Sequence, residues 1–198
     1  MNLGRLFLRG VLGPLFVGHG TQKLFGWFDG HGLEGTGGFF ESIGLRPGKR
    51  HASAAGAAET TGGVLLTLGA LTPVATTIIT GTMVTAIRKV HLDKGPWVSS
   101  GGYEYNLAVI AALAALTETG PGRPSVDDAL LPRFRGGGWA LAAVAAGAAG
   151  SFLATERFSE PAPMPAPEPA QEQVTEPELQ SQPRFAREPA EAPADQPA

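Results

Sequence analysis

Cysteine is absent from the chain, which excludes disulfides, thiolate metal sites and any thiol chemistry carried out by the protein itself. The four histidines show no HxxxH or other ligand spacing, so the sequence holds no dedicated metal motif. Neither a Walker loop nor a Rossmann fingerprint is present; the glycines sit at helix ends rather than after strands. No Ser-His-Asp set or pair of catalytic carboxylates emerges from spacing, and the basic residues are too scattered to form a nucleic-acid surface.

Charge is also scarce where it matters most. From Ala52 to Ile87 there are thirty-six residues with a single charged side chain, Glu59. The mean hydropathy of +0.03 hides this, because the last forty residues, from Ser159, hold ten prolines and eight acidic residues against Arg184 and Arg187. Such a composition cannot bury a core, so 159–198 reads as a disordered Pro/Glu/Ala-rich tail. The tail carries a net −6 of the chain's −3, which leaves residues 1–158 mildly basic at +3.

The apolar part divides into spans of membrane length, each near the roughly 20 residues that a hydrocarbon core requires. Leu3 to Phe25 is the first, with Arg5 and Arg9 expected to snorkel to the nearer interface. Its run from Gly10 to Gly18 continues into polar residues without a small-residue cleavage site, which predicts a retained span rather than a signal peptide. Thr72-Pro73 splits the long uncharged run into helices over about 52–71 and 74–92, since proline disfavours helix before it and suits a first turn. Tyr105 to Thr117 predicts a fourth span, with Glu104 and Glu118 at its two interfaces. Gly136 to Thr155 predicts a fifth, whose Ala143 and Gly147 lie four apart for close packing; a peripheral Ala-rich helix is the alternative. In the first loop, Thr36 is expected to cap a short amphipathic turn through Phe39, Phe40 and Ile43. The whole predicts an all-α polytopic membrane bundle: a four-helix core over 1–128, a linker and Ala-rich helix over 129–158, and the tail.

Counting spans puts the loops 28–51 and 88–102 on one side, with the N-terminus and the loop 118–135 on the other. His19 and Lys23 end the first helix, Glu59 lies two turns into the second, Arg88 and His91 end the third, and Glu104 and Asn106 begin the fourth. All seven therefore fall in one half of the bilayer, with His19 and Glu59 on the order of 10 Å below the interface. Ionisable groups at that depth are costly and pair with one another, so these seven predict one ligand pocket. Glu59 has Lys23, His19 or Arg88 as candidate partners, and His31 and His51 read as loop residues. A pocket that merely holds the helices together by hydrogen bonds remains the alternative. Seven basic residues on the pocket side against five on the other favour a cytoplasmic pocket.

Several ordered motifs carry a resemblance. His19-Gly20 with Lys23-Leu24-Phe25-Gly26, Gly35-Thr36 with Phe39-Phe40-Glu41-Ser42, Gly56 with Glu59 and Gly62-Gly63, Val90-His91, and Gly101-Gly102-Tyr103-Glu104-Tyr105-Asn106-Leu107 together resemble the DoxX family of small bacterial membrane proteins, over about 3–128. The resemblance implies a four-helix membrane core in the bacterial plasma membrane and a redox association. Relatives are named for a subunit of a thiosulfate:quinone oxidoreductase, and one is linked to a membrane complex joining superoxide defence with thiol homeostasis. It implies no catalytic residues.

From these two strands comes the expectation of a membrane subunit of an oxidoreductase complex. It contacts the lipid bilayer and soluble oxidoreductase partner proteins but no nucleic acid, holds no covalently bound cofactor, and takes a quinone head group in its pocket. Without cysteine it fits an accessory or quinone-contacting role better than a self-sufficient enzyme. A small-molecule or lipid permease or scaffold without redox chemistry is the alternative, because intramembrane charges mark solute pathways equally well.

Overall fold

The computed structural model describes residues 2–159; the Pro/Glu-rich tail beyond lies outside them. Among the described residues the fold is entirely helical, with seven α-helices: α1 (Leu3–Phe25), α2 (Gly32–Ser42), α3 (Gly48–Leu68), α4 (Thr72–Ala86), α5 (Glu104–Thr119), α6 (Val126–Leu130) and α7 (Gly137–Phe152). A π-helical turn, Ile87–His91, prolongs α4, and another, Leu153–Arg157, prolongs α7.

The bundle is organised by the contact of α1 with α3. Gly13 and Gly20 of α1 face Gly63 and Gly56 of α3, so numbers rise on one helix as they fall on the other and the two run antiparallel. The approach is close. A Cβ on Gly13 would lie 2.9 Å from the Gly63 carbonyl oxygen, and one on Gly20 2.5 Å from that of Gly56. Without a hydrophobic drive between helices in lipid, such small-residue contacts supply the packing. Next to α3 comes α4, which packs in turn on α5 and α7. Gly147 of α7 lies against Thr77 and Thr80 of α4, where a Cβ would sit 2.6 Å from the Thr77 carbonyl oxygen. Phe16, Leu66, Ile79, Met83, Leu113 and Leu116 fill the apolar centre.

Helix ends differ from expectation for local reasons. Gly69, at φ +61°, takes the left-handed conformation that stops α3 at Leu68, and its N–H returns to the Leu65 and Leu66 carbonyls. The first loop contains a helix from Gly32, with His31 at its N-cap, so Thr36 is a buried residue in mid-helix rather than a cap.

Arg9 also departs from its expected place at the interface. It is only 1% exposed, and its guanidinium donates to the Thr67 carbonyl at 3.0 Å and the Pro124 carbonyl at 2.6 Å. Beside it Asp127, equally buried, accepts from the Leu71 and Thr72 N–H groups and the Thr72 hydroxyl at 2.6–2.8 Å. A carboxylate thus closes the exposed N–H groups that open α4, the work of an N-cap residue done from a distant loop. Arg5 reaches the Thr119 carbonyl at 2.7 Å, so this end of the bundle is tied across α1, α3, α4 and α5.

The glycine contact sets a size limit that stability measurements can read. Gly20→Val, whose Cβ would fall 2.2 Å from the Thr60 hydroxyl, is expected to destabilise the bundle by about 1–3 kcal/mol or more. Gly18→Ala, where nothing lies within 4 Å, leaves thermal unfolding in detergent, followed by circular dichroism, unchanged or raised.

Candidate ligand cavity

A cavity of about 780 Å³ opens between α1, α3, α4 and α7 at the end of the bundle that also holds α2 and the 92–103 loop. Helical spacing aims the side chains into it. Phe16, His19 and Lys23 are three and four residues apart on α1, and His51, Ala55 and Glu59 are four apart on α3, so each set occupies one side of its helix. The floor and walls are apolar, with Phe39 and Phe40 from α2, Met83 from α4, and Gly147 and Gly150 from α7.

At its centre Lys23 Nζ donates to Glu59 Oε2 at 2.6 Å. The direction of helical side chains explains this pairing. Each Cα–Cβ bond tilts toward its own helix N-terminus, so Lys23 leans back into the bundle and Glu59, on the antiparallel helix, leans outward to meet it. The ammonium also reaches the His19 carbonyl, one turn back, at 3.3 Å. Glu59 is buried and Lys23 only partly so.

The other residues singled out from the sequence divide into two groups. His19, His91 and Asn106 line the same cavity as the ion pair. His91 Nδ1 lies 2.6 Å from the Gly101 carbonyl oxygen, so that nitrogen is the donor and Nε2 is left for other contacts. Asn106 is buried, and its amide contacts the Met83 sulfur at 3.4 Å. His19 does not pair with Glu59: it lines the cavity but is exposed, and among the described residues its ring has no hydrogen-bond partner. Arg88 and Glu104 do not line the cavity. Arg88 donates to Thr155 at 3.0 Å and Glu156 at 2.6 Å and lies 3.6 Å over the Phe152 ring, which fastens α7 to the end of α4. Glu104 accepts the Val98 N–H at 2.9 Å and shapes the loop before α5.

One cavity residue escaped the sequence reading. His51 is no loop residue: α3 begins at Gly48, just after Pro47, and His51 lines the cavity, with Nε2 3.2 Å from the Ser159 hydroxyl. The signal was available in the four-residue steps from Glu59 back through Ala55. Three imidazoles and one ion pair therefore share an otherwise apolar chamber. Among the described residues, no three His, Asp or Glu side chains are grouped to hold a metal ion.

Residues 4–92 match the model of the DoxX family. DoxX is a family of membrane proteins, and in this chain Gly137–Arg157, outside the matched segment, is long and apolar enough, by length and composition, to cross a bilayer. The DoxX segment contains α1 to α4 and with them His19, Lys23, Glu59 and His91; Asn106 and all of α7 lie beyond it. No curated protein and no solved structure matches the chain.

The buried ion pair is open to a double-mutant test. Lys23→Met strands Glu59 in the cavity wall and is expected to cost about 3–5 kcal/mol, whereas Lys23→Met with Glu59→Gln recovers most of it. Unfolding of four proteins in one detergent, wild type, Lys23→Met, Glu59→Gln and the double variant, gives the coupling energy.

Proposed function

We propose that this protein is a multi-pass membrane subunit of a redox-associated assembly in the bacterial plasma membrane, working with soluble oxidoreductase partners, and that its cavity receives the head group of a quinone. The observation that carries the proposal is the Lys23–Glu59 pair on the wall of an apolar chamber with three histidines. In hydrocarbon, ionisable groups are expensive and mark functional sites. The chamber also falls within the 300–1,000 Å³ range of small-molecule sites.

The donor set fits a quinone. Its two carbonyl oxygens are acceptors, and the cavity offers the third Lys23 proton, the partnerless His19 ring and the Asn106 amide as donors, between apolar walls that suit a ring. When bound, a quinone supplies two-electron, two-proton carrier chemistry. The chain's own part is to orient the head group and exchange protons: Glu59 is paired with Lys23, and His51 and His91 lie at the loop end of the chamber. With Arg9 and Lys23 both engaged inside the bundle, six basic residues on the cavity side face four on the other, which favours a cytoplasmic opening.

Gly150 provides the test, because it lines the chamber and a Cβ there meets nothing within 4 Å. Titration calorimetry of the full chain in detergent should show binding of decylubiquinone that Gly150→Leu weakens by about tenfold or more, with thermal stability preserved. His19→Ala should weaken it as well. Absence of quinone binding, together with Glu59-dependent solute flux in proteoliposomes, would establish the permease instead.

A further inference from the structure

The chain does not leave the chamber where α7 ends. One turn beyond Ser151, whose hydroxyl meets that of Thr85 at 2.8 Å, the π-helical turn Leu153–Arg157 brings Thr155 and Glu156 to Arg88 at the end of α4. Four residues after Thr155, the Ser159 hydroxyl lies 3.2 Å from His51 Nε2, in the first turn of α3. Thr155 and His51 both line the chamber, so 155–159 passes from its α4 wall to its α3 wall.

Polar contacts, rather than burial, hold this segment. From Leu153 to Ser159 only Thr155 is buried, and Leu153 and Phe158 stand exposed. Arg88 donates to Thr155 at 3.0 Å and to Glu156 at 2.6 Å, but the Glu156 side chain is largely exposed, and an ion pair in that setting is worth little. The helix before it is fixed differently, by Gly147 seated on α4, where a Cβ would lie 2.6 Å from the Thr77 carbonyl oxygen. Segments with few buried apolar contacts open first, so the wall stays in place while its end lifts. The apolar centre of the bundle takes no residue from 153–159, and lifting that end leaves the core packed. Both halves of the clasp also sit in π-turns, Arg88 in Ile87–His91 and Thr155 and Glu156 in Leu153–Arg157. Such turns are uncommon and recur at functional sites.

We propose that 155–159 is a strap across the mouth of the chamber, clasped by Arg88 on one side and His51 on the other, and that its release admits what the chamber binds. Arg88 thereby controls entry without lining the chamber. The inference rests on the shape of the chamber and not on the identity of its ligand, so its failure leaves the head-group assignment standing.

The lack of cysteine supplies the test, because a single thiol placed in the chamber reports access to it with no ligand present. Ala55→Cys puts that thiol on the chamber wall, one turn from both His51 and Glu59. Gly38→Cys puts a reference thiol on the exposed side of α2, outside the chamber and with nothing within 4 Å. The full chain, in one detergent, is reacted with a small polar methanethiosulfonate. Labelling of a site that opens intermittently follows the open population. Arg88→Gln should therefore speed reaction of the chamber thiol by about tenfold, and Glu156→Gln or Ser159→Ala by about two- to fivefold, with the reference thiol unchanged. A chamber rate that none of the three substitutions moves overturns the inference. So does an equal rise at both thiols, which means that these contacts only hold the bundle together.

Discussion

Everything in the bundle is placed by the near-contact of two backbones, α1 and α3. Where Gly13 meets Gly63 and Gly20 meets Gly56, the absence of side chains lets the helices approach within a distance that a single Cβ would forbid. This fixes their antiparallel register, and the register brings Lys23 to Glu59. A shift of one residue along either helix would turn one of the two charges by about 100° and leave it alone in an apolar setting, so the glycines and the ion pair specify the same arrangement. The pairing costs desolvation and contributes specificity.

The two ends of the molecule use buried charge differently. At one end Arg9 and Asp127 bond mainly to backbone: carbonyls of Thr67 and Pro124, N–H groups of Leu71 and Thr72. The effect is to close a helix turn, with Arg9 Nε left unpaired. At the other end Lys23 and Glu59 satisfy mainly each other, and His19, His51 and His91 stand around them along an open chamber. The two charged groups thus differ in their partners, backbone at one end and each other at the second.

The sequence carried the helices well, because their length and the scarcity of charge leave few alternatives: α1 is found at its expected limits, and α5 begins beside Glu104. It also carried the position of the polar residues along their helices, since that follows from counting, and five of the seven line one cavity. Rotation about the helix axis was less legible. His19 and Lys23 differ by one turn and line the same cavity, yet only Lys23 reaches Glu59 while His19 stays exposed. Arg9 looked like an anchor because its partners, Thr67 and Pro124, are distant backbone carbonyls, which no side-chain pattern announces. His51 looked like a loop residue because α3 starts one turn earlier than the uncharged run, through Lys49 and Arg50, which the end of a membrane helix accommodates.

The wall formed by α7 comes from outside the segment that carries the ion pair. Residues 4–92 contribute the ion pair and all three histidines, whereas Gly147, Gly150 and Ser151 come from a helix beyond that segment, fastened through Arg88 and by the Thr85–Ser151 hydroxyl contact of 2.8 Å. The chemistry and its enclosure are therefore separable parts of one chain. A protein built on the family segment with no such helix would present the same charged pair in a trough, to be roofed by lipid or by another polypeptide. Here that wall is part of the same chain, with a surface rich in alanine and glycine.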